Sequence, residues 1–157
     1  MVEPARIDGL LTRLKGYVEV LKKLAAVPRD RFLADGDKIG NAKYHFVVAI
    51  ECVIDIAHHI IASEKLRIPA DSSDSFAVLV EAALLPRDAL SSLQAMTKFR
   101  NRLVRLHWDV DDAMVHSYLQ DSLDDFDRFA AAIASLPRWR THTPDLRAPR
   151  VSPAPAG

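Results

Sequence analysis

Glycine is scarce, five in 157 residues, and alternating β-branched residues are missing. Sheets joined by tight glycine turns are therefore not expected, nor is a glycine-rich loop that cradles phosphate. The GxSxG elbow, the HExxH helix and paired Cys/His zinc spacings are absent too, which sets aside the usual nucleotide-dependent enzymes and hydrolases. Cysteine occurs once, as Cys52. One thiol cannot close an intrachain disulfide, which fits a reducing compartment, and its apolar neighbours predict a small buried hydrophobe. Net charge is lacking as well, with 21 Lys+Arg against 21 Asp+Glu. Affinity for nucleic acid must then come from a local patch rather than from the field of the whole protein. No apolar run is expected to reach the length of a membrane span and no signal-peptide core is read at the N-terminus, so a cytoplasmic, non-membrane protein is expected.

What the chain does have is hydrophobicity at helical spacing. Residues 49% hydrophobic over this length predict one globular domain with its own core. Ile7, Leu10, Leu11, Leu14, Val18, Leu21 and Leu24 form a first stripe that stops before Pro28. A charged connector, PRDRFLADGDK, has room for one further helical turn. A long second helix is predicted from about Ile39 to Lys65, facing inward with Phe46, Ile50, Val53, Ile54, Ala57, Ile60 and Ile61. Asp74 or Ser73 is the expected N-cap of a shorter helix, SFAVLVEAALL. Pro86 opens the next helix, whose seam is Ala89, Leu93, Met96, Phe99, Leu103, Leu106 and Val110. Asp109 or Asp111 is expected to cap a last helix through Val115, Leu119, Phe126, Phe129, Ile133 and Leu136. The expected fold is all-α, an antiparallel bundle of four to five helices. Residues 1–136 form that domain. A tail, 137–157, holds five of the nine prolines with four Arg and one Asp, which leaves about −3 on the domain.

Chemistry concentrates in KFRNRLVRLHWDVDD, Lys98 to Asp112. Lys98, Arg100, Arg102 and Arg105 fall within eight residues with no acid among them. Two readings compete: a solvated face paired to Glu51, Asp55 or the acidic last helix, or a phosphate-binding surface, since guanidinium offers a planar fork to phosphate oxygens. At about 100° per residue, Arg100 and His107 share a helix face, about 10 Å apart along the axis. One chain does not bring them together, but two copies meeting on this face could. A histidine can move the 2′-OH proton or protonate the leaving 5′-oxygen of RNA, an arginine can stabilise charge on phosphoryl oxygens, and Asn101 can orient either group. A second polar stripe, Tyr44, Glu51, Asp55 and His58, allows an Asp55–His58 pair or a metal site. With no second His-carboxylate motif, salt bridging is the preferred reading and no metal or other cofactor is expected.

With FRNRLVRLHWDVDD on the fourth substantial helix, and AIECVIDIAHHIIASEKLRIPADSSDSFAVLVEAALLP upstream, the chain resembles the HepT-like family of HEPN domains over most of residues 5–136. The resemblance implies a homodimeric helical toxin of a type VII toxin–antitoxin pair, with a metal-independent endoribonuclease site at the dimer interface. It implies as partner a minimal nucleotidyltransferase antitoxin, MntA-like, which transfers AMP to the tyrosine of an R-x4-H-x-Y motif. Carried onto this chain, the catalytic residues are Arg100, Asn101 and His107, and Lys98, Arg102 and Arg105 hold the RNA backbone. Anchoring on Arg100-Asn101 and Leu103-Val104 puts Arg105 at the motif histidine and His107 at the motif tyrosine. An R-x4-H can also be read as Arg102 to His107, a frame that loses the Asn following the Arg. The looser superfamily spacing, R-x4–6-H, accepts Arg100 to His107 in the preferred frame. The alternative is a catalytically silent HEPN module that pairs with the nucleotidyltransferase.

Overall fold

The computed structural model describes residues 4–105 and 109–136. Asp35 sets the frame of the longest helix. Its carboxylate accepts from the backbone N–H groups of Asp37 (3.1 Å) and Lys38 (3.2 Å), satisfying donors that a helix start otherwise leaves open. From that cap α3 runs Gly36–Ser63, after α1 (Pro4–Ala25) and the single extra turn of the connector, α2 (Arg29–Leu33). The chain continues with α4 (Ser72–Glu81), a 3₁₀ turn Arg87–Ala89 leading into α5 (Leu90–Arg105), then α6 (Asp112–Asp121) and α7 (Leu123–Ala134). The described residues contain only helices and connections, so the protein is an all-α bundle.

Helix α3 is the axis of that bundle. It contributes twelve core residues, among them Phe46, Ile50, Val53, Ile54, Ala57, Ile60 and Ile61, and α1 lies along it as its most extensive neighbour. By length and composition α3 would suffice to cross a membrane, contrary to the expectation that no such run exists. Its apolar surface is instead turned to α1, α4, α5 and α6. A helix walled in on several sides needs apolar residues on most of its circumference. The stripe on α1 is buried at Ile7, Leu14, Val18, Leu21 and Leu24, with Leu10 and Leu11 half-covered at its edge.

The α3–α4 connection departs from the sequence expectation. The N-cap of α4 is Asp71, whose Oδ1 accepts the Asp74 N–H at 2.7 Å. Asp74 lies inside the first turn because its carboxylate is occupied by the Arg67 guanidinium (2.7 and 3.0 Å) and the Ala70 N–H (2.9 Å). Arg67 also binds Glu81 through Nε and Nη2, both at 2.9 Å. These contacts, the Arg67 side chain first, hold the Asp74 carboxyl at about 2, below its ordinary 3.8. A carboxyl depressed by folding stabilises the native state above its unfolded pKa, and that contribution fades as pH falls through the folded value. The melting temperature should therefore fall between about pH 4 and pH 2, and Asp74→Asn should flatten that segment of the profile. An identical acid slope in both proteins would count against the linkage.

Helix α4 ends with Ala83 in the left-handed region, φ 58°. The Leu84 N–H reaches the Leu79 carbonyl (2.9 Å) and the Ala83 N–H that of Val80 (3.0 Å), the paired bonds of a Schellman end, a position glycine favours. Ala83→Gly should raise stability by about 1 kcal/mol, because an L side chain is disfavoured there by about that much. Denaturant unfolding checks it, and a lowered midpoint would refute it.

Two further expectations are refined. Pro86 opens a 3₁₀ turn rather than the α-helix proper, and α5 begins at Leu90. The single predicted last helix is two: Asp111 caps α6, as expected, by accepting the Ala113 N–H, but Ser122 ends α6 and begins α7. The break lets α6 pack on α1, α2 and α3 while α7 turns to α1 and the 3₁₀ turn. Leu119, Leu123 and Phe126 keep helical spacing through the break and are all buried, which is why the periodicity hides it.

Candidate active site

The core seam of α5 decides where its charges go. Leu93, Met96, Phe99 and Leu103 are buried. Phe99 stands edge-on to Phe46 (5.4 Å, 84°) and lies flat on Tyr118 of α6 (3.8 Å, 5°). With Phe99 pinned inward, Arg100 and Lys98 emerge on opposite flanks, about 100° to either side.

Arg100 turns toward α3. Its Nη2 donates to Glu51 Oε1 at 3.1 Å and its Nη1 to Asn101 Oδ1 at 2.9 Å. Its Nε is buried without a partner. The side chain is only 25% exposed, against 44% for Glu51, so the guanidinium sits at a partly exposed rim. Lys98, Arg102 and Arg105 form a separate row, within about 60° of one another and about 140° to 160° from Arg100. Arg102 reaches α6, donating to the carboxylate and the backbone carbonyl of Asp109, both at 3.3 Å, with Nη1 3.5 Å from Met114 Sδ. Lys98 and Arg105 are exposed. The structure thus brings together Arg100 and Asn101, and sets the three proposed backbone-holding cations on the other flank. His107 lies outside the described residues, as do Leu106 of the seam and the 137–157 tail.

On α3 the expected polar stripe divides. Glu51 is taken by Arg100, and His58 does not pair with Asp55: its Nε2 stands 3.0 Å from the Ser75 hydroxyl. A hydroxyl presented by the neighbouring helix outcompetes a carboxylate one turn back on the same helix. Tyr44 is 59% exposed. Cys52 is buried and its thiol is pushed up by burial, with Arg13 pulling the other way, so it is a packing residue rather than a nucleophile. Tyr118 is half-buried and its phenol is pushed up by burial, offset in part by Arg102. Sequence reasoning missed the Arg102–Asp109 and Lys43–Asp112 pairs (3.3 and 3.5 Å). Both bridge to the start of α6, whose position periodicity does not encode.

The family model described as Ribonuclease HepT-like matches residues 14–133. The mRNA nuclease HepT of Shewanella oneidensis is 34% identical over 83 residues. That stretch is 53% of this chain and 62% of the relative, so less than two thirds of the relative's length is matched. Among solved structures, a tri-AMPylated Shewanella oneidensis HEPN toxin in complex with an MNT antitoxin superimposes with a TM-score of 0.77 at 25% identity, covering 85% of this chain and 98% of that one. A toxin–antitoxin structure with AMP-PNP gives 0.76 at 25% identity, covering 82% and 96%. The cytosolic protein YutE of Bacillus subtilis, of unknown function, shares the fold alone, with 0.72 at 17% identity over 88% and 93%. With its matched span running from α1 into α7, and Arg100-Asn101 in place on α5, the chain belongs to the HepT-like family.

Proposed function

We propose that this chain is the toxin of a toxin–antitoxin pair, an endoribonuclease that cleaves RNA without a metal ion at a composite site formed by two copies. The observation that carries the reading is the Arg100 guanidinium, fixed at a rim by Glu51 and Asn101 in a chain of the HepT-like family. In the reaction the 2′-oxygen of the substrate attacks the adjacent phosphorus while the bond to the 5′-oxygen breaks. The 2′-OH proton passes to one His107 imidazole, and a protonated imidazole gives a proton to the leaving 5′-oxygen. Arg100 stabilises the charge on the non-bridging oxygens, and an approaching phosphate would displace Glu51 from it. Lys98, Arg102 and Arg105 would track the backbone on the far flank.

Val104, 50% exposed and one turn beyond Arg100, supplies an apolar contact for a two-fold partner on the same face. Residues 1–136 would form the HEPN unit in a cytoplasmic protein, with 137–157 as an appended tail. The proposed partner is a minimal nucleotidyltransferase antitoxin that attaches AMP to the toxin.

Purified protein should cleave RNA in EDTA and behave as a dimer by light scattering at micromolar concentration. His107→Ala should reduce cleavage by about 10²–10⁴-fold, the range supplied by a positioned general acid–base. Undiminished cleavage by that variant would remove His107 from the mechanism. Two observations favour a second reading, a silent module: Arg100 is already paired with Glu51, and Arg105 stands at the motif histidine. No cleavage and no toxicity on expression alone, together with a stable complex with a nucleotidyltransferase, would decide for it.

A further inference from the structure

Resting on the toxin–antitoxin reading, we propose that the AMP acceptor of this chain is the hydroxyl of Tyr44 on α3. A phenol ionises near 10, well below an aliphatic hydroxyl, and is the better oxygen nucleophile for an activated phosphate. The chain has three tyrosines. Tyr17 packs against the core. Tyr118 lies flat on Phe99 and edge-on to Phe46, and burial pushes its phenol up. Tyr44 alone among them is exposed, at 59%, where a second protein can present a nucleotide. His45 stands edge-on to its ring (5.1 Å, 85°). The His45 Nδ1 is 2.9 Å from the Asn41 carbonyl, an atom that can only accept, so Nδ1 carries a proton.

The placement on the bundle gives the modification a consequence. Helices α3 and α5 run in opposite senses. His58 meets Ser75 of α4 while Gln94 reaches the Ser73 carbonyl beside it; Glu51 meets Arg100; and Lys43 meets Asp112 beyond the end of α5. Tyr44 lies seven residues before Glu51, hence on the same face and about 10 Å toward the C-terminal end of α5. In the adduct the phosphate is bonded to the Tyr44 oxygen, and the adenosine beyond it is long enough to lie along that interval and cover Arg100 and its Glu51 partner against RNA. The phenol oxygen of Tyr44 attacks the α-phosphorus of ATP, the bond from that phosphorus to the β-phosphate oxygen breaks, pyrophosphate leaves, and the phenol proton passes to solvent.

The test incubates the purified chain with ATP, Mg²⁺ and the Shewanella oneidensis MNT antitoxin, followed by intact mass and peptide mapping. Wild type should gain AMP on the peptide holding Tyr44. Tyr17→Phe and Tyr118→Phe should gain it equally, and Tyr44→Phe should gain none. Modified wild type should lose at least tenfold in RNA cleavage, and Tyr44→Phe treated alike should lose nothing. No gain on wild type, or AMP mapped to any other residue, overturns the proposal. Because cleavage without ATP is measured on the same samples, failure of the ribonuclease reading is seen separately.

Discussion

Replacing Arg100 by alanine is expected to lower RNA cleavage by about 10²–10³-fold, the usual loss when a preorganised donor to a developing oxyanion is removed. The fold should survive, and magnitudes say why. The variant gives up an ion pair whose members are 25% and 44% exposed, worth about 1 kcal/mol or less. It also removes a buried Nε–H that has no partner, whose burial costs about 1–3 kcal/mol. These opposing contributions should leave the melting temperature nearly unchanged, so lost activity can be assigned to the guanidinium itself. Arg100→Lys sharpens the test: it keeps the charge but cannot offer the two-pronged fork to a phosphate while holding Asn101, and should recover only a small part of the rate. Glu51→Gln is the milder partner variant, since it loosens the guanidinium without removing it. Cleavage by Arg100→Ala at the wild-type rate would place the chemistry elsewhere on the molecule.

How far the sequence foretells this arrangement depends on which physical effect sets each part of it. Burial has a period, so Ile7 to Leu24 on α1, Phe46 to Ile61 on α3 and Leu93 to Leu103 on α5 are legible in the spacing of apolar residues alone. Direction changes inside a continuous pattern are not. Leu119, Leu123 and Phe126 keep step across Ser122, yet two helices meet there. Capping is ambiguous where acids cluster, because the choice between Asp71 and Asp74 is made by Arg67, which no local rule sees. At the site, angular arithmetic alone separates Arg100 from Lys98, Arg102 and Arg105. Glu51 is among the partners that the charges allow, and the structure selects it over Asp55 for Arg100. The ends of long side chains are settled by neighbours far along the chain, as Asp109 settles Arg102, and such choices leave no periodic trace.

The largest loss of stability is expected from Phe99→Ala. Phe99 is 2% exposed and couples three helices, edge-on to Phe46 of α3 and stacked on Tyr118 of α6. Truncating a buried phenylalanine removes its transfer free energy and leaves a cavity, together about 3–5 kcal/mol, and the lost ring pairs add to that. That is a large fraction of the total stability of a domain this size, so the variant should melt at least about 10 °C lower. Because Phe99 precedes Arg100 and fixes the rotation of α5, cleavage should fall with it. Phe99→Leu separates the two effects: it fills most of the space, should cost about half as much or less, and should keep α5 in register and Arg100 on Glu51. Tyr118→Phe retains the stacked ring and should cost less still. A Phe99→Ala protein that melts within a few degrees of wild type would mean that α3, α5 and α6 are held by the aliphatic seam of Leu93, Met96 and Leu103 rather than by the rings.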